Sequence, residues 1–125
     1  MQHILYVGFL KGIEMVIKIE REKNCVIIQL PAEATTPDSL LRANVMELIE
    51  AKNIKALLTD MLNIFEITEE LLALMIAIQS AAGRNNLRVI YFNVNKEAKD
   101  FLKSSDLANI LEIYDSKLQA MRMLL

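Results

Sequence analysis

The sequence predicts an α/β fold: a mixed sheet of about five strands, with an antiparallel N-terminal hairpin, largely parallel later strands and about four helices. Short apolar runs typical of buried strands alternate with longer segments of helical periodicity. The chain has 125 residues, 54% of them hydrophobic, which is enough for one core. Because strand–helix–strand crossovers are nearly always right-handed, the later strands should lie parallel, with helices packed beside them.

Two adjacent patterns predict the N-terminal hairpin. Residues 15–20 alternate apolar and polar side chains, which indicates a half-buried strand, and residues 25–30 form an apolar run after a polar turn. Pro31 ends the second strand, since proline cannot donate to a ladder. Residues 1–14 are set apart as an extension of uncertain role, and residues 15–125 form the predicted domain.

The first two helices are predicted from periodicity and capping residues. The first begins at Pro37, with Thr36 as its N-cap, and ends at Asn53. The second covers about residues 69–82 and ends at Gly83, a residue suited to a left-handed C-cap.

Three further strands and two helices complete the predicted order. Residues 55–60 form the strand between the first two helices, and residues 88–94 are an apolar run typical of a buried strand. Asn95 caps a third helix. A short strand at residues 111–114 and a last helix from about Ser116 follow.

Composition excludes several classes of function. The net charge is −2 and no cluster of Lys and Arg is present, so we expect no nucleic acid partner. No apolar run approaches the roughly 20 residues that span a bilayer, so no direct membrane insertion is expected. The single cysteine, Cys25, precludes an internal disulfide and favours a cytoplasmic location.

The sequence also offers no residues for a catalytic or metal site. With His3 as the only histidine and Cys25 as the only cysteine, no zinc site with the usual ligands can form. A Ser-His-Asp or Cys-His arrangement would depend on the same histidine. The three glycines form no phosphate-binding loop. We therefore predict that the protein is not an enzyme and has no cofactor.

Three segments resemble a known family. Residues 94–107 (VNKEAKDFLKSSDL) and 113–121 (IYDSKLQAM) are similar to the last two strand–helix units of the STAS family, and residues 57–60 lead by a loop into a helix as its third strand does. STAS domains include bacterial anti-sigma factor antagonists and the tails of sulfate transporters. The resemblance implies a STAS-like fold and a non-enzymatic, regulatory role in binding protein partners.

The resemblance implies a regulatory loop at Glu66, Thr68, Glu69 and Glu70. The family motif there is Asp-Ser-Ser/Thr-Gly-Leu, and a partner kinase phosphorylates the second hydroxyl residue. If Glu66 matches the motif's Asp, Thr68 is the acceptor and the switch is kept. If Asp60 matches the acidic residue that ends the family's third strand, Thr68 takes the Asp position and Glu70 replaces the acceptor. The phosphorylation motif is degenerate in both alignments.

A third interpretation of this loop involves no phosphate. Thr68 is a favourable N-cap for the second helix. Glu69 and Glu70 in its first turn would each stabilise the helix by roughly 0.3–1 kcal/mol. The three residues would then serve helix stability alone.

The second helix is apolar on almost every side between residues 71 and 78. Such a helix is either deeply buried or covered by a partner. We predict a partner-binding surface at Leu72, Met75, Ile76 and Gln79, with crowding by neighbouring helices as the alternative.

The resemblance implies an anti-sigma factor of the serine kinase type as the partner. One alternative is a cytoplasmic accessory subunit of a membrane transport complex, with a transporter subunit as partner. A domain that binds a small ligand such as a lipid or nucleotide is another, and a homodimer is a further alternative.

Overall fold

The structure, a computed structural model, describes residues 2–10, 13–22, 24–32, 39–50, 54–107 and 109–124. Strands and helices alternate within these ranges after an opening set of three strands. The elements are β1 (Gln2–Leu10), β2 (Ile13–Glu22), β3 (Cys25–Gln29), α1 (Ser39–Glu50), β4 (Ala56–Asp60), α2 (Glu69–Arg84), β5 (Arg88–Phe92), α3 (Lys96–Ser104), β6 (Glu112–Tyr114) and α4 (Lys117–Arg122).

The strands form one mixed sheet in the order β1-β2-β3-β4-β5-β6. The pairs β1–β2 and β2–β3 are antiparallel, and the three later pairs are parallel. This architecture confirms the predicted fold class.

The sheet has one strand more than the five that the sequence predicted. The additional strand is β1, formed by residues that had been set apart as an extension, and it pairs with β2 from Gln2↔Arg21 to Leu10↔Ile13. This pairing also extends β2 to Ile13, two residues before the predicted start. The division of the chain into an extension at residues 1–14 and a domain at residues 15–125 stays a prediction.

Helices cover the two faces of the sheet unequally. Residues of α1, α2 and α3 pack with one face in the main hydrophobic core, whereas Ala120 of α4 packs with the other face in a smaller cluster. Both faces of the central strands are therefore apolar. In β3, for example, Val26 and Ile28 belong to the main core and Ile27 to the smaller cluster. This explains why β3, β4 and β5 each have apolar residues at several consecutive positions.

The predicted end of α2 at Gly83 is wrong. The helix continues to Arg84, and the left-handed residue is Asn86, with φ 53°. The N–H of Leu87 donates to the carbonyl of Ala82 at 2.9 Å, the bond that closes a Schellman C-cap. Asparagine tolerates the left-handed conformation, so the cap lies three residues beyond the glycine. The predicted caps of the first helix, Thr36 and Asn53, lie outside the described residues.

Replacing Gly83 by alanine should stabilise the protein by about 0.5–1 kcal/mol. Gly83 lies inside a helix, where glycine costs about that much relative to alanine, and a Cβ added there would meet nothing within 4 Å. Urea unfolding measures the change. Asn86→Ala is the matched control and should destabilise the protein, because alanine disfavours a positive φ. A destabilised Gly83→Ala protein would contradict the observed helix end.

Two residues on adjacent strands carry buried hydroxyl groups. Thr59 of β4 and Tyr91 of β5 are register partners, and both are fully buried. Within the part of the chain that the structure describes, neither hydroxyl has a hydrogen-bond partner. Burial raises the pKa of Tyr91 above its ordinary value of 10.0.

Tyr91→Phe should therefore change the pH dependence of stability. The unfolded chain releases the tyrosine proton near pH 10, while the folded protein retains it, so the wild type loses stability as the pH rises above about 10. Tyr91→Phe lacks this loss. Its free energy of unfolding relative to the wild type should therefore increase by about 1.4 kcal/mol per pH unit above about pH 10. Urea unfolding between pH 7 and 11 measures it, with Tyr114→Phe as the half-buried control. If the free energy of unfolding depended on pH equally in all three proteins, the burial of the Tyr91 phenol would be contradicted.

Candidate functional site

The loop of residues 61–68 joins β4 to α2, and we call it the β4–α2 loop. Met61, Ile64 and Ile67 are buried in the main core, at every third position. Between them lie two large apolar side chains that face solvent: Leu62 is 58% exposed and Phe65 is 73% exposed. One group of apolar side chains thus anchors the loop in the core, and a second group is exposed to solvent.

The carboxylate of Asp60 fixes the beginning of the loop. Its Oδ1 accepts hydrogen bonds from the N–H of Leu62 at 2.9 Å and from Nδ2 of Asn93 at 3.0 Å. Its Oδ2 accepts a bond from Nε2 of Gln29 at 3.1 Å. Because Gln29 ends β3, Asp60 ends β4 and Asn93 follows β5, one side chain ties together the carboxyl ends of three parallel strands. Ligand sites in α/β proteins commonly lie at this edge of the sheet.

Asn95 holds the middle of the loop. Its Nδ2 donates to the carbonyl oxygens of Ile64 and Phe65, both at 3.1 Å. Its Oδ1 accepts from the N–H of Ala98 at 2.8 Å and so caps α3, as predicted. The loop is therefore bonded to the following strand–helix connection as well as packed on the core.

Thr68 ends the loop and begins α2. Its Oγ1 accepts a hydrogen bond from the N–H of Leu71 at 3.1 Å, which makes it the N-cap. Glu69 and Glu70 occupy the first helical turn and are exposed, as is Glu66 in the loop. The geometry of a capped, acidic helix start is thus present. Its regulatory role stays a prediction.

The β4–α2 loop and α2 are acidic in sequence, and Lys96 of α3 is a cation that lines the cleft beside Phe65. The sequence has no Lys or Arg between Lys55 and Arg84, whereas it has four carboxylates there, on Asp60, Glu66, Glu69 and Glu70. Three of these carboxylates are exposed beside Leu62 and Phe65 in sequence. The β4–α2 loop therefore combines exposed apolar side chains with negative charge.

The predicted partner surface on α2 needs one correction. Met75 is fully buried in the main core and cannot contact a partner. Ile76 is 49% exposed, whereas Leu72 is half-buried and packs against the core. Nε2 of Gln79 donates to the carbonyl of Ile110 at 3.2 Å, so part of its bonding capacity is used within the protein. Most of the apolar surface of α2 is thus covered by the protein itself.

Leu62 and Phe65 were not predicted as site residues. The signal that could have indicated them is the spacing of apolar residues in the loop, with Met61, Ile64 and Ile67 at intervals of three. If that set is buried, the apolar residues between its members, Leu62 and Phe65, face solvent. The sequence alone does not say which of the two sets is buried.

The described ranges contain no group of three or more His, Cys, Asp or Glu side chains that could hold a metal ion. Among the helices within these ranges, none is long and apolar enough to cross a membrane.

No protein-family model matches the sequence, and no curated protein does. Solved structures do. An anti-sigma factor antagonist (STAS) domain protein from Planctomyces limnophilus is similar with a TM-score of 0.74 at 12% identity, over 86% of this chain and 97% of that chain. The phosphorylated form of the Bacillus cell fate determinant SpoIIAA is similar with a TM-score of 0.65 at 13% identity, over 87% and 99%.

A third similar structure is much larger. The murine anion transporter Slc26a9 matches with a TM-score of 0.68 at 9% identity, over 83% of this chain and 18% of that chain. At these identities the likeness concerns the fold, and it agrees with the strand order and the helix arrangement described above. The chain has the fold of a STAS domain, as its resemblance to that family implied.

Proposed function

We propose that this protein is a non-enzymatic regulatory domain that binds a protein partner through the β4–α2 loop and the start of α2. One observation carries the proposal: Leu62 and Phe65 are exposed in a loop that is nevertheless held in place by Asp60 and Asn95. Single exposed apolar residues are ordinary. Two of them on a hydrogen-bonded loop form a preorganised contact, for which a partner pays little ordering entropy.

The charge around these two side chains indicates the chemistry of the partner. Glu66, Glu69 and Glu70 are exposed, and no basic residue lies in the same stretch of the chain. A complementary partner surface would have an apolar pocket bordered by Lys or Arg, because complementary potentials speed association and select the partner. The STAS fold, found also in anti-sigma factor antagonists, supports an anti-sigma factor of the serine kinase type as this partner.

We further propose that Glu70, and not a phosphorylated Thr68, provides the negative charge of the regulatory loop. In the alignment that favours this view, Thr68 takes the position of the family's Asp. Threonine and aspartate are both good N-caps, and Thr68 does cap α2. Glu70 then supplies about one permanent charge, against about 1.5 to 2 for a phosphate. The domain would bind its partner without a phosphorylation switch at that position.

Site-specific photo-crosslinking in the source organism tests the proposal. A benzoylphenylalanine at position 65 should capture one protein, to be identified by mass spectrometry, with basic residues near the crosslinked peptide. The same amino acid at position 101 is the matched control, because Phe101 is also an exposed aromatic residue (45%) but lies on α3. Capture at position 101 and none at position 65 would contradict a docking role for the loop. Phosphate found on Thr68 of this chain in the crosslinked complex would contradict the role of Glu70.

A second candidate function is an accessory subunit of a membrane transport complex. The structural similarity to part of the Slc26a9 anion transporter favours it. The same crosslinking experiment distinguishes the two candidates, since the captured protein would be a transporter subunit rather than a kinase-like regulator. Binding of a lipid or nucleotide stays a prediction.

A further inference from the structure

The side-chain amide of Asn95 bonds to two parts of the fold at once. Its Oδ1 accepts from the N–H of Ala98 and caps α3, while its Nδ2 donates to the carbonyls of Ile64 and Phe65. We infer that Asn95 is the positioning residue of the docking surface, which holds Phe65 in place against the start of α3. The consequence for binding rests on the proposed function, whereas the positioning itself does not.

The helix cap determines which way the amide points. A residue N–H can only donate, so the atom that bonds to Ala98 must be the amide oxygen. The amide nitrogen then lies on the other side, where it meets two carbonyl oxygens, both at 3.1 Å. Both groups of the amide are thus used in an arrangement that the reversed orientation cannot make.

Packing does little to hold the Phe65 side chain. The ring is 73% exposed, so its position depends mainly on the backbone of residues 64 and 65. Asn95 bonds to both of these carbonyls. Ile64 adds a buried anchor on one side of Phe65, but it does not restrain the peptide group after Phe65. The Asn95 amide does.

The cleft beside Phe65 shows where the docking surface extends. Phe65, Asn95, Lys96 and Glu97 line an open cavity of about 320 Å³. The loop and the first turn of α3 therefore form its walls, and Asn95 joins them. The docking surface accordingly continues from Phe65 toward the first turn of α3.

Asn95→Asp separates the two roles of the amide. Aspartate is as good an N-cap as asparagine, so α3 keeps its cap. A carboxylate has no N–H to donate, and it would place a negative oxygen against the carbonyls of Ile64 and Phe65. Asn95→Ser is a second variant, which keeps a capping hydroxyl without adding charge, and it should loosen the loop to a smaller extent.

Limited chymotrypsin digestion of the full chain measures the effect at two sites. Cleavage after Phe65 reports opening of the loop, and cleavage after Phe101 reports opening of α3. In Asn95→Asp we expect cleavage after Phe65 to be faster by a factor on the order of 10, as the loss of two hydrogen bonds requires, with cleavage after Phe101 unchanged. Unchanged cleavage after Phe65, or an equal increase at both sites, would overturn the inference.

A binding measurement separates this inference from the proposed function. With the protein captured at position 65, Asn95→Asp should weaken binding by the same order of magnitude as it opens the loop. Faster cleavage with unaltered affinity would overturn the positioning role in docking. If position 65 captures no protein, the proposed function fails while the digestion result still decides whether Asn95 positions Phe65.

Discussion

Replacing Ile64 by alanine is expected to lower the free energy of unfolding by about 2–4 kcal/mol, whereas the same change at its neighbour Phe65 should alter it by less than about 0.5 kcal/mol. Ile64 is 1% exposed and belongs to the main core, so its truncation leaves a cavity under the loop. Because little of the Phe65 ring is buried, truncation of Phe65 leaves no cavity.

Urea denaturation of the wild type and the two variants measures this contrast. The two changes are adjacent in sequence and both remove a large apolar side chain, so each serves as the control for the other. A similar loss of stability in both variants would mean that Phe65 packs on the protein, and the loop would then have no free apolar contact to offer a partner.

Phe65→Ala is expected to weaken binding of the captured partner by about 30-fold or more, which corresponds to about 2 kcal/mol. Large aromatic residues that enter a partner's pocket contribute most of the energy of an interface. Phe65 is the most exposed of the large apolar residues whose side chains the structure describes, and its backbone is held before binding. The loss should appear mainly as faster dissociation, because the acidic residues that steer association are unchanged.

The control for this experiment is Phe101→Ala. Phe101 is also an exposed aromatic residue, but it projects from α3 and has no part in the β4–α2 loop. Surface plasmon resonance should give an affinity within about twofold of the wild type for this variant. An equal loss in both variants would contradict an interface centred on the β4–α2 loop, and a loss in Phe101→Ala alone would place the interface on α3.

The central part of the fold could be predicted from the sequence because its signals are local. The strands β3, β4 and β5 are apolar runs, and Thr68 and Asn95 are side chains that cap helices by bonding to residues three positions ahead. The strand β1 was not predicted. Its assignment depends on pairing with β2 across the sheet, which is not a local property of residues 2–10.

The orientation of α2 could not be predicted for a related reason. Met75 and Ile76 are adjacent and both apolar, and they differ by about 100° around the helix. The pattern therefore leaves open which of them faces the core, and the structure buries Met75 and exposes Ile76. The helix end was misplaced because Gly83 is the stronger local signal, although Asn86 can adopt the same left-handed conformation.

The candidate site was predicted in part. Glu66, Thr68, Glu69 and Glu70 do lie together at the end of the loop and the start of α2. Leu62 and Phe65 could not be identified, because their exposure depends on how Asp60 and Asn95 bond to the loop from separate parts of the chain. The fold, and not the local sequence of the loop, brings these two hydrogen-bonding side chains to it.

The most direct test of the docking surface is amide hydrogen exchange of the protein with and without its captured partner. Binding should slow exchange in residues 61–73 and in the first turn of α3, and it should leave β6 and α4 unchanged. The strand β6 is an edge strand that is not paired with β4, and α4 packs on the opposite face of the sheet. If binding slowed exchange in β6 and α4 but not in the β4–α2 loop, docking on this loop would be contradicted.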